Sequence, residues 1–374
     1  MDKRDIVGSF ARVKAIREYS GYTFSVGRTL AIVILGTLCG LKRIEDIHQW
    51  ALDDRVGQFL ADNFGIHSIP SLRWLRELLS IIDPLSLNEH FIKWISTKLP
   101  QNLDDLTIVF DGKTVRSTAN MQEHDRPIHI LSAFLAEGGL TIGQKTVDKK
   151  SNEIPAMREL LQLIKVHGCM VVADALHTQT ETAGLIVKSG ADYLLNAKGN
   201  QETLMNDIES AFQNDDLIDE MEFSSTFEVN GGREEQRHGI VINNVDFMGV
   251  HLVRWPNLSS IGAINRRFTG IDGKTSDEWH FYICSRTLAA EELLKFARNE
   301  WRIESMHWML DVHFAEDSCR IRDINAIQNM NMISKIVLNY LRAYKSENGS
   351  KKPLSRLMFG CLLDCDKILE IVTW

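Results

Sequence analysis

Apolar residues recur at helical spacing over the first hundred positions of the chain. In 30–41 and again in 72–82, leucine and isoleucine repeat at intervals of three and four, and residues at those intervals share one face of a helix. Ser71 is placed to cap the second helix and Pro84 to end it. We therefore predict a helical N-terminal domain over residues 1–100.

From residue 106 onwards, the apolar residues instead form short runs of the length of β-strands. Two of them, with a Gly-Gly turn between, predict a hairpin, and helical segments near 153–167 and 179–188 separate the later runs. The predicted strands are Leu106–Phe110, His129–Leu135, Thr141–Val147, Cys169–Ala173 and Tyr193–Ala197. Strands that alternate with helices predict an α/β fold, with a sheet covered by helices on both faces.

A β-rich block interrupts this alternation. It follows an acidic helix near 201–213, and helical spacing returns at Ala289 and continues, with one break, to Lys345. Its β-like stretches are 222–229, 240–243, 251–255, 260–265 and 279–285. We predict an α/β domain over 101–345 with a β-rich insertion at about 215–285, followed by a C-terminal tail over 346–374.

Composition and charge narrow the class of protein only slightly. Hydrophobic residues make up 44% of the 374 positions, enough for a sizeable core. The net charge of −8 is unevenly spread, because 201–230 holds nine acidic residues and no Lys or Arg, so that the rest of the chain sums to +1. This balance neither supports nor excludes DNA as a partner, since local patches matter more than the total.

The cysteines argue against a zinc-binding protein, and the apolar runs argue against a membrane protein. The six cysteines form no CxxC pair, which argues against a zinc site and fits a reducing cytoplasm. No secretory signal opens the chain. The longest apolar run, Thr29–Leu41, is also shorter than the ~20 residues that span a bilayer. We expect a cytoplasmic protein with no membrane segment.

Three acidic residues carry the candidate chemistry. Asp111 and Asp174 each follow an apolar strand, where α/β sheets gather their ligands, and Gly112 would allow a sharp turn beside the first. Glu304 lies in a predicted helix, on one face with Trp308. Carboxylates suit Mg²⁺ or Mn²⁺ completed by phosphate oxygens, and two such ions can activate a water or a 3′-hydroxyl.

Each acid taken alone also has a simpler structural interpretation. An aspartate after a strand often caps a turn or a helix. The helix around Glu304 fits an amphipathic surface helix whose tryptophans, Trp308 among them, lie in the core. It is the combination of three acids that favours a divalent-cation site.

Seven segments in order resemble the bacterial insertion-sequence transposases grouped with the H-repeat-associated proteins, and the resemblance covers nearly the whole chain. The segments are IVFDGKTVRST (108–118), HILSAF (129–134), DKKSNEIPA (148–156), VVADALHTQ (171–179), GADYLLNAKGNQ (190–201), GREEQRHGIV (232–241) and HWMLDVHFAEDSCRIR (307–322). The resemblance implies an RNase H-like mixed sheet with a DDE triad, in which Asp111, Asp174 and Glu304 are the catalytic and metal-binding acids. It also implies that the front helices assist DNA or partner recognition.

The chain departs from the family pattern around the third acid. Ser305 follows Glu304, and the step from Glu304 to His307 is one residue shorter than in many relatives. One residue turns the following helix by about 100°. Related DDE enzymes also carry an arginine four residues before the glutamate and a lysine seven after it, where this chain has Glu300 and Asp311.

Several cations are candidates for contact with DNA phosphates. For each of them a solvated or paired side chain is the alternative. They are Lys113, Lys198, Arg298, Arg302, Arg320 and Arg322. Arg237 is expected to pair with a neighbouring glutamate, and His177 to be structural. Trp308 could stack on an extruded base, although a core position is the commoner fate of tryptophan.

The leading hypothesis is a transposase that cleaves DNA and transfers strands with Mg²⁺ or Mn²⁺, using two ions. Its partners would be the double-stranded ends of an insertion sequence and target DNA, bound by a homodimer at the bacterial nucleoid. The alternatives are a catalytically degenerate DNA-binding remnant and an RNase H-like nuclease without strand transfer. An aspartyl phosphatase is disfavoured because Lys113 stands where such enzymes need a second aspartate.

Overall fold

A nine-stranded mixed sheet forms the centre of the molecule. The computed structural model describes residues 5–16, 24–118, 127–147 and 152–374. The strands are β1 (Thr107–Thr114), β2 (His129–Leu135), β3 (Leu140–Thr146), β4 (Met170–Ala173), β5 (Asp192–Ala197), β6 (Met221–Asn230), β7 (Arg233–Ile242), β8 (Ser260–Thr269) and β9 (Thr275–Cys284). Their order across the sheet is β3-β2-β1-β4-β5-β9-β8-β7-β6.

Helices precede, alternate with and follow these strands. They are α1 (Asp5–Ser9), α2 (Val26–Leu38), α3 (Ile44–Ala51), α4 (Asp54–Phe64), α5 (Leu72–Ile81), α6 (Pro84–Ser96), α7 (Glu153–Leu163), α8 (Thr180–Lys188), α9 (Glu202–Phe212), α10 (Val250–Arg254), α11 (Ala290–Glu300), α12 (Arg302–Phe314), α13 (Ile324–Glu347), α14 (Leu354–Leu363) and α15 (Cys365–Val372). The predicted α/β fold with a helical N-terminal region is confirmed. In the part of the chain that the structure describes, no helix is long and apolar enough to cross a bilayer.

Parallel pairing at the centre of the sheet fixes the geometry of the predicted site. β1 and β4 run parallel, with Phe110 opposite Ala173, and β5 continues the parallel pairing beyond β4. β4 ends at Ala173, whereas β1 continues to Thr114 along its other neighbour, β2. Asp111 and Asp174 are the residues that directly follow this pairing. They therefore lie next to each other at the carboxyl end of the paired segments.

The β-rich block extends the same sheet. β5 pairs with β9, and the antiparallel strands β9, β8, β7 and β6 follow in turn. One predicted strand, 251–255, is wrong, because Val250–Arg254 is the helix α10. Helical spacing places His251 and Trp255 on one face. Both are buried, and His251 contacts the Asp207 carboxylate at 2.8 Å.

The N-terminal helices pack on the sheet domain through α13. Helices α2, α5 and α6 contact α13, and α6 also contacts β3, so that one apolar core runs through both regions. Helix α2 is buried along its length, as its uninterrupted apolar run predicts. The Ser71 hydroxyl accepts a hydrogen bond from the Trp74 amide at 3.2 Å, which confirms the predicted cap.

The C-terminal half departs from the sequence prediction in two places. Helical structure between 289 and 345 breaks twice, at Trp301 and over 315–323, where one break was expected. The expected tail beyond 345 forms α14 and α15. Its last residue, Trp374, lies about 6 Å from the rings of Trp94 and Tyr340, and its carbonyl accepts a 2.6 Å hydrogen bond from Lys98.

A buried lysine joins α13 to the sheet. Lys335 is 1% exposed, and its ammonium donates to Ser132 Oγ at 2.8 Å and to Gln144 Oε1 at 2.6 Å. Burial without a directly bonded carboxylate lowers the pKa of Lys335 to about 7, because desolvation disfavours the charged form.

We predict that Lys335 makes the free energy of unfolding rise between pH 7 and 10. In that range the folded chain holds the neutral amine while the unfolded chain keeps its proton, so unfolding takes up a proton and stability increases with pH. Urea denaturation of the wild type should show this rise, by up to about 1.4 kcal/mol per pH unit. Lys335→Met should not show it. Equal pH slopes in the two proteins would contradict the assignment.

Candidate active site

The three predicted acids come together around one cavity. Asp111 comes from β1, Asp174 follows β4, and Glu304 lies in the first turn of α12. The cavity has a volume of about 280 Å³. Its charged lining comprises Asp111, Asp174, Glu300, Glu304, Lys198, Arg237, Arg266 and Arg298. Residues separated by 63 and 130 positions thus share one site.

Asp111 lies in surroundings that disfavour its charged form. Burial, together with repulsion by the nearby carboxylates of Glu153, Glu304 and Asp174, raises the pKa of Asp111 to about 6, although a hydrogen bond with the Gly112 amide lowers it. His307 Nδ1 lies 3.5 Å from Asp111 Oδ2. Burial lowers the pKa of His307 to about 3, so this imidazole is neutral and does not balance the Asp111 charge.

Position 112 has no room for a side chain, which explains why glycine is found there. It lies within β1, where the sequence suggested a sharp turn, and a Cβ there would collide with His129 and Glu153. Glu153 Oε1 lies 2.8 Å from His129 Nε2, and its other oxygen lies 3.5 Å from the buried His177. Although burial opposes it, hydrogen bonds to both histidines lower the pKa of Glu153 to about 2. His177 is 2% exposed and does not line the cavity, so its structural role stays a prediction.

Asp174 combines the capping role with a position in the cavity. Its Oδ1 accepts a hydrogen bond from the Ala175 amide at 2.6 Å, capping the short turn 175–177. The same oxygen lies 3.3 Å from Lys198 Nζ, and both side chains are about half exposed. Lys198 therefore stands at the cavity mouth, where it can reach a phosphate oxygen as well as Asp174.

The break between α11 and α12 positions Glu304. Trp301 occupies this break, and its ring packs beneath the guanidinium groups of Arg266 and Arg237, at 4.0 and 5.6 Å from the ring centroid. Cation–π contacts of this kind hold the end of α11 against the sheet. Glu304 lies in the first turn of the next helix, where it is exposed and lines the cavity.

Lys113 fastens α12 to β1. Its ammonium contacts Asp311 Oδ1 at 2.6 Å and Glu316 Oε2 at 2.5 Å, and it also reaches the His307 carbonyl at 3.4 Å. Lys113 was predicted to contact DNA, but its side chain is only 15% exposed and its charge is already matched. The reversal of charge at Asp311, relative to related DDE enzymes, is thereby explained by a partner on β1.

Glu300 is a fourth carboxylate of the cavity that the sequence did not identify as one. It ends α11, one turn before Glu304. Burial, with a smaller contribution from repulsion by Asp174, raises the pKa of Glu300 to about 7. The only sequence signal was an acid at the position where related enzymes carry arginine. Arg237, Arg266 and His280 also line the cavity without having been predicted to do so.

The remaining predicted cations are divided between this cavity and another surface. Arg298 lines the cavity and pairs with Glu228 at 2.7 Å. Arg302 is exposed, and Arg320 and Arg322 line a separate cleft. Arg237 pairs with Glu235 at 2.7 Å, as expected.

The side chain of Trp308 lies at the surface of α12. Trp308 is 58% exposed, so the expected core position is wrong. Residues 148–151, which open the predicted motif DKKSNEIPA, lie outside the described residues.

The donors of the cavity fit a hard divalent cation. Neighbouring carboxylates contribute to the raised pKa values of Asp111 and Glu300. A cation between them would offset this repulsion and stabilise their charged forms. Within the described ranges, no three acidic, imidazole or thiol groups converge closely enough to enclose an ion by themselves. This openness suits Mg²⁺, which keeps several waters and binds through one or two carboxylates plus substrate phosphates.

We predict that Lys113→Met destabilises the protein by about 3 kcal/mol. The substitution leaves Glu316, whose side chain is 7% exposed, without its ion-pair partner, and an uncompensated buried charge costs about that much. Urea denaturation measures the loss. Lys145→Met, which breaks the more exposed pair with Glu159, is the matched control and should cost less than about 1 kcal/mol. Equal losses in the two variants would contradict the anchoring role.

Comparison with known proteins adds two family matches and several relatives. A family model described as "Transposase DDE domain" matches residues 102–340, and one described as "DDE_Tnp_1-associated" matches 7–95. The chain is 33% identical over 364 residues to "H repeat-associated putative transposase YhhI" of Escherichia coli (strain K12), covering 94% of each chain. It is 34% identical over 353 residues to "Putative protein YbfL" of the same strain, covering 92% of this chain and 91% of the relative. It is 30% identical to "Putative transposase YncI" of Escherichia coli O157:H7 over 361 residues, covering 94% and 91%.

Proposed function

The chain belongs to the transposase DDE domain family, and we propose that it moves an insertion sequence by metal-dependent cleavage and strand transfer of DNA. Asp111, Asp174 and Glu304 would be the catalytic carboxylates. The observation that carries the proposal is their convergence, from two strands and a helix, on one cavity that is also lined by cations. An arrangement with anions at the centre and cations around them suits a phosphodiester with its metal ions.

The side chains divide into two groups by charge. Asp111, Asp174 and Glu304 would hold Mg²⁺ or Mn²⁺, which when bound would supply activation of the attacking oxygen and stabilisation of the leaving one. Lys198 and Arg298 stand at the cavity and would orient the phosphate oxygens of the bound strand. The carboxylates need not act as nucleophiles.

The shortened step after Glu304 does not move that residue away from the site. Glu304 lines the cavity, and His307, three positions on, lies beside Asp111. The departure at Ser305 therefore leaves the three acids together and gives no support to a degenerate, non-cleaving binder. A nuclease that does not transfer strands would be distinguished by its products.

The partners follow from the reaction. The substrates would be the double-stranded ends of the element and a target duplex, and joining two ends calls for a homodimer on DNA. Residues 1–100 would contribute to DNA or partner recognition, and 101–345 would form the catalytic domain. The helices of 1–100 are attached to that domain through α13, so the two regions would act on one DNA.

We predict that alanine at Asp111, Asp174 or Glu304 abolishes Mg²⁺-dependent nicking of DNA that carries the sequence flanking this gene. Each substitution removes a charge needed to hold the ions, so nicking should fall by a factor of at least about 10². Folding and DNA binding should persist. A gel assay of end-labelled DNA, with and without EDTA, measures cleavage, and joined products report strand transfer. Nicking that survives Glu304→Ala would move the third carboxylate elsewhere.

We predict that Glu300→Gln raises the Mg²⁺ concentration needed for half-maximal nicking by about 10-fold or more. Glu300 is a fourth carboxylate of the cavity, and a bound cation would favour its charged form. Loss of a residue that supports a metal site weakens binding of the ion by about 10–100-fold. Calorimetric titration with Mn²⁺ provides a readout independent of cleavage. Glu292→Gln, on the same helix but outside the cavity, is the control. An unchanged Mn²⁺ affinity would show that Glu300 does not contribute.

A further inference from the structure

A second cleft lies between the N-terminal helices and the segment that follows α12. Its volume is about 1240 Å³. One wall comes from α3, α5 and the residues before α3, and the other from 314–323 and the start of α13. Six exposed cations line it: Lys42, Arg43, Arg73, Arg76, Arg320 and Arg322. They come from sequence regions almost 250 positions apart, so only the folded chain brings them together.

Four acids also line this cleft, Glu45, Glu77, Glu316 and Asp323, and one of them pairs with two of the six cations. Glu45 pairs with Arg76 and, at 3.4 Å, with Arg43. Glu316 is bound to Lys113. Asp323 caps α13 by accepting a 2.8 Å hydrogen bond from the Ala326 amide.

Three of the five arginines keep their charge available, and Lys42, which also has no acidic partner among the described residues, contacts the Val312 carbonyl. Arg73, Arg320 and Arg322 have no acidic partner among the residues that the structure describes. They lie over an apolar floor that includes Phe314, Ile321 and Met330. The cleft therefore offers unmatched guanidinium groups around a floor that can accept sugar rings.

Helix α12 connects this cleft to the catalytic cavity. Glu304 lies in its first turn and Phe314, in the cleft, is its last residue. Ten residues of helix span about 15 Å. The row of exposed residues Glu304, Trp308 and Val312 runs along the helix between the two sites, and Lys42 Nζ lies 3.5 Å from the Val312 carbonyl. A strand laid on this face would pass from one site to the other.

We propose that the cleft binds the sugar–phosphate backbone of the DNA that flanks the scissile bond. Guanidinium groups match phosphate oxygens with two parallel hydrogen bonds. At about 3.4 Å of duplex axis per nucleotide of one strand, the cleft lies about four nucleotides from the cleaved phosphate. The position along the DNA rests on the proposed function, since it takes the scissile phosphate to lie in the cavity of Asp111 and Asp174. The charge of the cleft does not depend on that function.

The test compares two triple variants of the full chain. One is Arg73→Gln/Arg320→Gln/Arg322→Gln, and the control is Arg254→Gln/Lys351→Gln/Lys352→Gln, whose residues are exposed and outside both sites. Fluorescence anisotropy in EDTA follows binding of a duplex with the gene's flanking sequence, and of a random duplex, over a range of salt. Thermal denaturation checks that both variants fold.

We expect the cleft variant to bind both duplexes at least tenfold more weakly. The slope of log affinity against log salt should fall by about two to three, because each lost phosphate contact contributes about 0.9. The control should match the wild type. Hydroxyl-radical footprinting should lose protection about four nucleotides from the cleavage position. Unchanged affinity and slope would overturn the proposal.

Two further outcomes separate the proposal from its alternatives. If the cleft variant loses self-association in sedimentation while its DNA affinity is unchanged, the occupant is an acidic segment of a second copy, and the proposal is wrong. The proposed function is tested separately by the same wild-type sample. If that sample binds the flanking duplex through the cleft but never cuts it with Mg²⁺, the catalytic proposal fails while the backbone-binding cleft stands.

Discussion

Burial of mutually repelling carboxylates in one cavity is the constraint that shapes this molecule. Asp111, Asp174, Glu300 and Glu304 line one small cavity, and the raised pKa values of Asp111 and Glu300 record the cost of keeping them there. Three features of the fold offset that cost. Parallel pairing of β1 with β4 fixes the positions of the two aspartates. The break in the helix at Trp301 places Glu304 at the cavity. The ion pairs of Lys113 hold α12 against β1. Surrounding cations, Lys198 foremost, compensate part of the charge.

The local elements of this arrangement were predictable from the sequence, and the long-range pairings were not. Apolar runs that end in an acid marked the strands before Asp111 and Asp174, because burial imposes its pattern on nearby residues. Capping by Ser71 was equally local. Lys113 was assigned to DNA because its partners, Asp311 and Glu316, lie 198 and 203 positions away. Glu300 was missed for a related reason, since only the folded chain places it beside Asp174.

Two wrong sequence predictions show how tertiary contacts override the local sequence pattern. The segment around His251 has the β-branched residues typical of a strand, but burial of His251 and Trp255 on one face makes a helix the better solution. Gly112 suggested a turn, whereas the backbone stays extended and the missing side chain leaves room for His129 and Glu153. In both places the deciding contacts come from distant segments. Trp308 was expected in the core, but α12 lies at the surface between the two cavities and leaves this side chain 58% exposed.

Metal-directed cleavage of the protein itself tests the account most directly. Fe²⁺ bound in place of Mg²⁺ reduces added hydrogen peroxide to a hydroxyl radical and hydroxide, and ascorbate returns the Fe³⁺ to Fe²⁺. The radicals cut the nearest backbone, so the fragments report where the ion sits. We expect cuts clustered near residues 111, 174 and 300–304, suppressed by excess Mg²⁺ and lost in Asp111→Ala. Cuts at only one of these segments, or at positions outside the cavity, would contradict the claim that the acids of β1, β4 and α12 form one metal-dependent site.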